Sequence, residues 1–321
     1  MFAQHSEIQV GVAAETVEAG FLSVLSRRLR SDPMGLAGLL MVLSVLFCAG
    51  FSHWLAPYDP FKIHVDQRFI PPSWMQIFSA GSFGDGLTQV FTASSWMHFF
   101  GTDTLGRDVL SRVIAGSRIA LSVGGGSIAI ALAIGLVLGL TAGYGPRWLD
   151  NLLLLLFDSV YSFPTVILGL TVMTLLEPSI ETLVFVVVVI QTPAYSRLIR
   201  TATLSIKNSE YILAVRSLGA SPARILLVHI LPNIVGPLFI IASMDIPSVI
   251  ALEAGLTYLG LGIPPPAPSW GRILQEGYSA IRDAPWIVIA GGIPLIITTL
   301  GFTFLGEALR DWLDPKLRRI I

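Results

Sequence analysis

The sequence is poor in cysteine and in charge, and it lacks a nucleotide-binding loop. Cys48 is its only cysteine, so neither a disulfide nor a cysteine metal site can form within the 321-residue chain. Charged residues make up 13% of the chain, whereas a soluble domain carries about a quarter. No Gly-x-x-x-x-Gly-Lys-[Ser/Thr] segment occurs, which excludes ATP binding through a P-loop.

Apolar residues fill the place of the missing charges. They make up 53% of the chain, and the mean hydropathy is +0.73. About twenty helical residues, at 1.5 Å each, cross a hydrocarbon core of about 30 Å. We therefore predict an all-α polytopic membrane protein with six transmembrane helices, the first an uncleaved anchor. The spans are predicted at residues 35–55, 119–144, 148–176, 180–195, 233–256 and 285–305.

The basic residues predict the topology. Arg27, Arg28 and Arg30 precede the first span, which favours a cytoplasmic N-terminus. Six spans then return the C-terminus to the same side, and most of the 20 Lys and Arg residues fall in cytoplasmic segments. The predicted regions are a cytoplasmic tail (1–34), the first span (35–55), an external segment with an interfacial helix (56–117), a five-helix core containing a cytoplasmic loop (118–308, with the loop at 197–232) and a cytoplasmic tail (309–321).

The segment 210–232, called here the 210–232 loop, is an island of charge and helix signals between two apolar runs. Ser209 is a good N-cap, and Glu210 follows in the first turn, where the helix dipole favours an acid. Gly219 suits a left-handed stop, and Ser221 with Pro222 predicts a second helix start. Two short helices with a tight corner between them would form a surface that a partner protein could bind.

Acidic residues inside predicted spans indicate a polar path. Such residues are costly in a membrane and usually face the protein interior or water. Asp158 lies in the third span, where a structural hydrogen bond near the cytoplasmic face is the alternative, and Asp245 and Glu253 lie in the fifth. We predict a translocation path lined by Asp158, Gln191, Met244, Asp245 and Glu253.

A second charged stretch precedes the second span. Asp108 and Arg112 are four residues apart, a spacing that allows an ion pair on an interfacial helix. The alternative is a helix anchored by snorkelling arginines without contact to substrate. The residues predicted to form an external motif are Asp103, Arg107, Asp108 and Arg112.

These stretches carry a family resemblance. The 210–232 loop resembles the "EAA" loop of bacterial ABC-importer permeases at Ala214, Gly219, Leu231 and Pro232, while Leu213, Val215 and His229 depart from the general pattern. Those departures resemble the peptide/nickel branch. Three further stretches match that branch: Gly101-Thr-Asp with Gly106-Arg-Asp-Val-Leu-Ser-Arg112, Glu253-Ala with Leu259-Gly-Leu-Gly262 and Pro268-Ser-Trp-Gly271, and Gly306 with Leu309-Arg-Asp311 and Asp314-Pro315.

The resemblance implies a type I ABC importer permease fold in a bacterial inner membrane. It implies a second homologous permease subunit, two cytoplasmic ATPases that carry ATP and Mg²⁺, and an extracytoplasmic substrate-binding protein. It implies no cofactor, metal site or nucleic acid for this chain, and no enzymatic activity of its own. Peptides are the expected cargo, with nickel chelates, opines and sugars left open. The residues expected to couple the chain to an ATPase are Glu210, Ala214, Arg216, Leu218, Gly219, Ala220, Ser221, Arg224 and Pro232.

Two other classes of function compete with this interpretation. An ion-coupled secondary transporter or channel would use Asp158, Asp245 and Glu253 as ion sites, but it leaves the capped corner unexplained. An intramembrane enzyme such as a protease needs a general base. None of the five histidines lies in the middle of a span beside a candidate nucleophile.

Overall fold

The computed structural model describes residues 32–75 and 98–313. No β-strand occurs in these two ranges, so the predicted all-α class is confirmed. The predicted tail before residue 32, with its arginine cluster, and the segments 76–97 and 314–321 lie outside the described residues. The helices are α1 (Pro33–Gly50), α2 (Ser52–Leu55), α3 (Val109–Tyr144), α4 (Arg147–Tyr161), α5 (Thr165–Leu175), α6 (Ile180–Lys207), α7 (Glu210–Ser217), α8 (Pro222–Arg224), α9 (Leu231–Tyr258), α10 (Trp270–Ser279) and α11 (Trp286–Leu313).

Five helical stretches in the described ranges are long and apolar enough to cross a membrane. They are α1, α3, α6, the continuous stretch Pro222–Tyr258, and α11. A sixth span arises if α4 and α5 are counted as one bent helix, with an angle of 85° between them. This corrects the prediction of an unbroken third span over 148–176. The break falls at Ser162–Pro164, where proline lacks the N–H that an uninterrupted helix needs.

Glycines bring α3 and α6 into close contact, as their four-residue spacing predicts. A β-carbon on Gly135 would lie 2.7 Å from Tyr195 Cβ, and one on Gly139 would lie 2.6 Å from the Ser196 carbonyl oxygen. One on Gly143 would lie 2.8 Å from Thr203 Cβ. Because real β-carbons do not approach this closely, larger residues at these three positions would push the helices apart.

The helix boundaries correct several predictions. The charged stretch before the second span is not a separate interfacial helix, because Asp108 caps the N-terminus of α3 and Arg112 lies in its first turn. Helix α6 extends to Lys207 rather than ending near residue 195. Similarly, α11 continues to Leu313, beyond the end predicted for the last span.

The second helix of the 210–232 loop, which starts after Ser221, is also longer than predicted. Ser221 starts α8 as expected, but the helix then continues through a π-helical segment, Ile225–Ile230, into α9. Pro232 lies where the π-helical segment passes into α9, and its missing N–H falls at this change of helix type. The loop is therefore connected to the α9 span without a break.

Two of the four buried hydrophobic clusters in the described residues contain opposite halves of α3. One joins α3, α6, the 210–232 loop and α9, and includes Ile199, Ile212 and Ile230. The other joins α1, α3, α10 and α11 and includes Trp270 and Trp286. The two ends of α3 thus belong to different packing units.

Candidate functional site

The corner of the 210–232 loop has the predicted geometry. Helix α7 ends at Ser217, and Gly219 follows with φ +84°, which a side chain would disfavour. The Gly219 amide donates to the Arg216 carbonyl (2.9 Å). The Ser221 hydroxyl accepts from the Arg224 amide (3.4 Å) and so caps α8. Both helix ends are satisfied locally, so the corner holds its shape without outside contacts.

The inner side of this loop is anchored in the membrane-spanning bundle. Ile212, Ile225 and Ile230 are completely buried in the core that also contains Ile199 of α6. A polar contact adds to this packing, because Arg216 Nη2 donates to the Tyr144 hydroxyl (3.4 Å) at the end of α3. The loop is therefore packed against α3, α6 and α9.

The outer side of the loop is open. Leu218, at the tip, is 88% exposed, and, apart from the two chain neighbours of Gly219, no described residue lies within 4 Å of a β-carbon built on this glycine. The predicted contact of this corner with an ATPase stays a prediction. Of the nine residues predicted to couple the chain to an ATPase, Glu210, Ala214, Arg216, Leu218, Gly219, Ser221, Arg224 and Pro232 are exposed and Ala220 is half-buried.

Three predicted path acids lie in different surroundings. Asp245, half-buried on α9, accepts a hydrogen bond from the Tyr195 hydroxyl (2.8 Å) of α6. Asp158 is 67% exposed and forms an ion pair with Arg197. Glu253 is completely buried. Their role in a path stays a prediction.

Glu253 holds the connection between α9 and α10. Its Oε1 accepts from the Thr257 hydroxyl (2.9 Å), and the same hydroxyl oxygen accepts from the Ile263 amide (3.2 Å). No described residue bonds its Oε2. Of the other predicted path residues, Gln191 is half-buried on α6, and Met244 is half-buried on α9, where it packs against Gly306 of α11.

The external motif forms a different ion-pair pattern from the predicted one. Asp108 and Arg112 are not paired. Instead Asp108 caps α3 by accepting from the Ser111 amide (2.7 Å), and its other oxygen bonds His98 Nδ1 (2.9 Å). Arg112 turns to Asp103 and to Glu276. An i,i+4 pair was wrong here because the capping geometry already occupies the Asp108 carboxylate.

Four side chains close this arrangement: Asp103, Arg107, Arg112 and Glu276, called here the four-charge cluster. Arg107 Nε donates to Asp103 Oδ2 (2.7 Å) and its Nη2 donates to Glu276 Oε2 (2.9 Å). Arg112 Nη2 donates to Glu276 Oε1 (3.2 Å). Asp103 is completely buried, Arg112 is 1% exposed, and the two acids balance the two arginines.

The sequence analysis missed Glu276. It lies in α10, more than 160 residues beyond its arginine partners, and no spacing rule connects positions so far apart. One signal could have indicated a missing acid. Arg107 and Arg112 lie close together, and once Asp108 caps α3, only Asp103 remains nearby to pair with both arginines. Nearby, Arg272 is half-buried, and desolvation lowers its pKa below the ordinary value although Glu276 acts in the opposite direction.

Within residues 32–75 and 98–313, no group of three or more His, Cys, Asp or Glu side chains is placed to hold a metal ion.

Comparisons with known proteins agree on one family. The family described as binding-protein-dependent transport system inner membrane component matches residues 135–319, more than half of the chain. The family described as N-terminal TM domain of oligopeptide transport permease C matches residues 21–72.

Curated relatives match over most of their length. The di/tripeptide transport system permease protein DppC of Pseudomonas aeruginosa is 37% identical over 88% of this chain and 88% of its own. The dipeptide transport system permease protein DppC of Alkalihalophilus pseudofirmus is 32% identical over 91% and 89%. The glutathione transport system permease protein GsiD of Escherichia coli is 36% identical over 91% and 89%.

A solved structure shares the fold. The MetNI methionine ABC transporter in an inward-facing conformation aligns with a TM-score of 0.50, at 19% identity, over 63% of this chain and 97% of the other. At this identity the likeness shows the fold alone, and it supports the predicted type I importer permease architecture.

Proposed function

Because this chain belongs to the family of binding-protein-dependent transport system inner membrane components, we propose that it is one permease subunit of an ATP-driven ABC importer. It forms half of a translocation pathway and is moved by a cytoplasmic ATPase. The chain supplies the membrane path, and the partner supplies the energy of ATP hydrolysis.

The observation that carries this proposal is the 210–232 loop. Its exposed tip, Leu218, belongs to the same loop as the completely buried Ile212 and Ile225. The helix that starts at Ser221 continues into α9. Closure of the ATPases would thus be transmitted as rigid-body movement of helices, the usual form of alternating access. In this proposal the corner Arg216–Arg224 docks in a groove of the ATPase.

The remaining partners follow from the family description. We propose a second homologous permease subunit, two ATPases with bound ATP and Mg²⁺, and an external binding protein that delivers the cargo. The membrane is a bacterial inner membrane, with both termini and the 210–232 loop in the cytoplasm. The arginines before the first span and the basic residues around the loop support this orientation.

Peptide is the proposed cargo. Relatives that match nearly the whole chain are named for di/tripeptide, dipeptide and glutathione transport. We propose that Asp245 and its partner Tyr195 lie beside the path, together with Asp158. Asp158 is 67% exposed in this chain taken alone, and Asp245 is only half-buried at the contact between α9 and α6. The rival ion-coupled mechanism has less support, since completely buried Glu253 already bonds Thr257.

A cross-linking experiment tests the coupling role. Cys48→Ser removes the only cysteine, and Ala220→Cys then places one at the corner. In inverted membrane vesicles containing the assembled transporter, this cysteine should cross-link to the ATPase and react with a membrane-impermeant maleimide. Labelling only in right-side-out vesicles, or no cross-link to a nucleotide-hydrolysing subunit, would overturn the proposal.

A further inference from the structure

The residues near the start of α3 line a cavity that the proposed function leaves unused. Its volume is about 630 Å³, within the range of about 300–1,000 Å³ usual for small-molecule sites. The walls come from α2, from the segment that follows it and from α3, with Pro268 of the connection between α9 and α10 closing one side.

Two opposite charges line this cavity without neutralising each other. Arg118 of α3 is exposed, and among the described residues no carboxylate pairs with its guanidinium. Asp59, on the facing segment, accepts a hydrogen bond from the Phe61 amide (2.9 Å) through Oδ1, and no cation in the described ranges pairs with its carboxylate. Lys62 lines an adjoining cavity that shares Asp59, but it makes no ion pair with this acid.

The contrast with the four-charge cluster is informative. The cluster satisfies its own charges, whereas Arg118 and Asp59 face a common space while remaining unpaired. A molecule with a cationic end and an anionic end would satisfy both, through charge-assisted hydrogen bonds. The rest of the lining is suited to apolar parts of such a molecule, since it includes Pro57, Tyr58 and Phe61.

We propose that this cavity is an external receiving site for a short peptide with free termini, in which Arg118 binds the C-terminal carboxylate and Asp59 binds the N-terminal ammonium. The inference rests on the proposed function, because it takes a peptide as cargo and this face as external. It adds a selection step in the permease for charged ends, apart from the predicted path residues.

Photo-labelling of the complete transporter tests the site. A photoreactive benzoylphenylalanine replaces Phe61, a half-exposed residue of the lining. The complex, purified without its binding protein and reconstituted in phosphatidylglycerol vesicles, is irradiated with radiolabelled alanyl-alanine. We expect saturable labelling of this chain by alanyl-alanine but not by its N-acetyl amide.

Arg118→Gln and Asp59→Asn should each raise the peptide concentration for half-maximal labelling about tenfold or more, because each removes one charged hydrogen bond. Arg118→Lys, which keeps the charge, should lie between the wild type and Arg118→Gln. Arg282→Gln and Asp283→Asn are matched controls, since both residues are exposed on the connection that follows α10, outside the cavity, and they should change nothing.

Three results would overturn the site: no saturable labelling of the wild type, equal labelling by the blocked peptide, or unchanged concentration dependence in both variants. Loss of labelling in phosphatidylethanolamine vesicles would assign the cavity to that zwitterionic headgroup instead and would also overturn it. The proposed function fails separately, if the wild-type complex with its binding protein shows no ATP-dependent uptake of alanyl-alanine.

Discussion

The four-charge cluster buries charged side chains, whereas the 210–232 loop exposes an apolar side chain at its tip. They lie at opposite ends of α3, because Arg112 is in its first turn and Tyr144, at its end, contacts Arg216. The cluster buries charges and pairs them across elements of this chain. The loop instead exposes an apolar tip, Leu218. One end is complete in the single chain, and the other has the surface expected of a chain that needs a partner.

The largest expected effect concerns the cluster. Arg112→Ala leaves Asp103 and Glu276 to share Arg107 alone, and breaking a buried ion pair costs about 3–5 kcal/mol. Denaturant unfolding of the purified full-length protein measures this loss. Arg282→Ala, at an exposed position, should change the free energy of unfolding by no more than about 0.5 kcal/mol. Equal effects of the two variants would contradict the assigned role of the cluster.

The loop should respond in binding rather than in stability. Leu218→Ala should weaken association with the ATPase by about 2 kcal/mol, roughly thirtyfold, if this side chain is an interface anchor. The free energy of unfolding of the chain alone should stay unchanged, since the side chain is 88% exposed. The control is Leu259→Ala, an exposed leucine just after α9. An ATPase affinity that Leu218→Ala leaves intact would place the contact elsewhere.

Between these ends lies the Tyr195–Asp245 hydrogen bond, which tests the path separately from the coupling. Asp245→Asn should lower peptide uptake about tenfold, the value of one charged hydrogen bond. Association with the ATPase should persist. Tyr195→Phe keeps the carboxylate and removes its partner, so it separates the acid's charge from its hydrogen bond. Normal uptake by Asp245→Asn would make this acid structural.

The smallest effect should come from the cap of the corner. Ser221→Ala removes the acceptor for the Arg224 amide, and losing an N-cap costs about 1 kcal/mol. Hydrogen exchange at Arg224 should accelerate roughly fivefold, with little change elsewhere. Ser217→Ala is the matched control, because that hydroxyl only donates to the Leu213 carbonyl within α7. Similar acceleration in both variants would argue against a specific cap.

The two ends were also unequally predictable. The corner at Gly219 was correctly predicted because its causes are local: a glycine with positive φ and the Ser221 side-chain cap lie two residues apart. The predicted side-chain cap at Ser209 was wrong, because that hydroxyl donates to the Ile206 carbonyl (2.7 Å) instead. Three of the four residues of the cluster were predicted as part of the external motif, and Glu276 was not. The predicted pairing was wrong, because the choice of Arg112 between Asp108 and Glu276 depends on where α10 packs.

Composition and the length of the apolar runs by themselves determined that this chain is a bundle of membrane-spanning helices. Apolar runs of this length are more stable in the hydrocarbon core than in water, and within the core they must be helical to pair their backbone hydrogen bonds. Local signals also determined the corner of the 210–232 loop. The spacing of Gly135, Gly139 and Gly143 permits a close helix contact, but only the tertiary structure shows that the neighbour is α6. Only the tertiary structure decided which charges meet. Glu276 reaches Arg112, and Asp59 and Arg118 line the same cavity. Both arrangements arise from packing between segments whose separation along the chain follows no pairing rule.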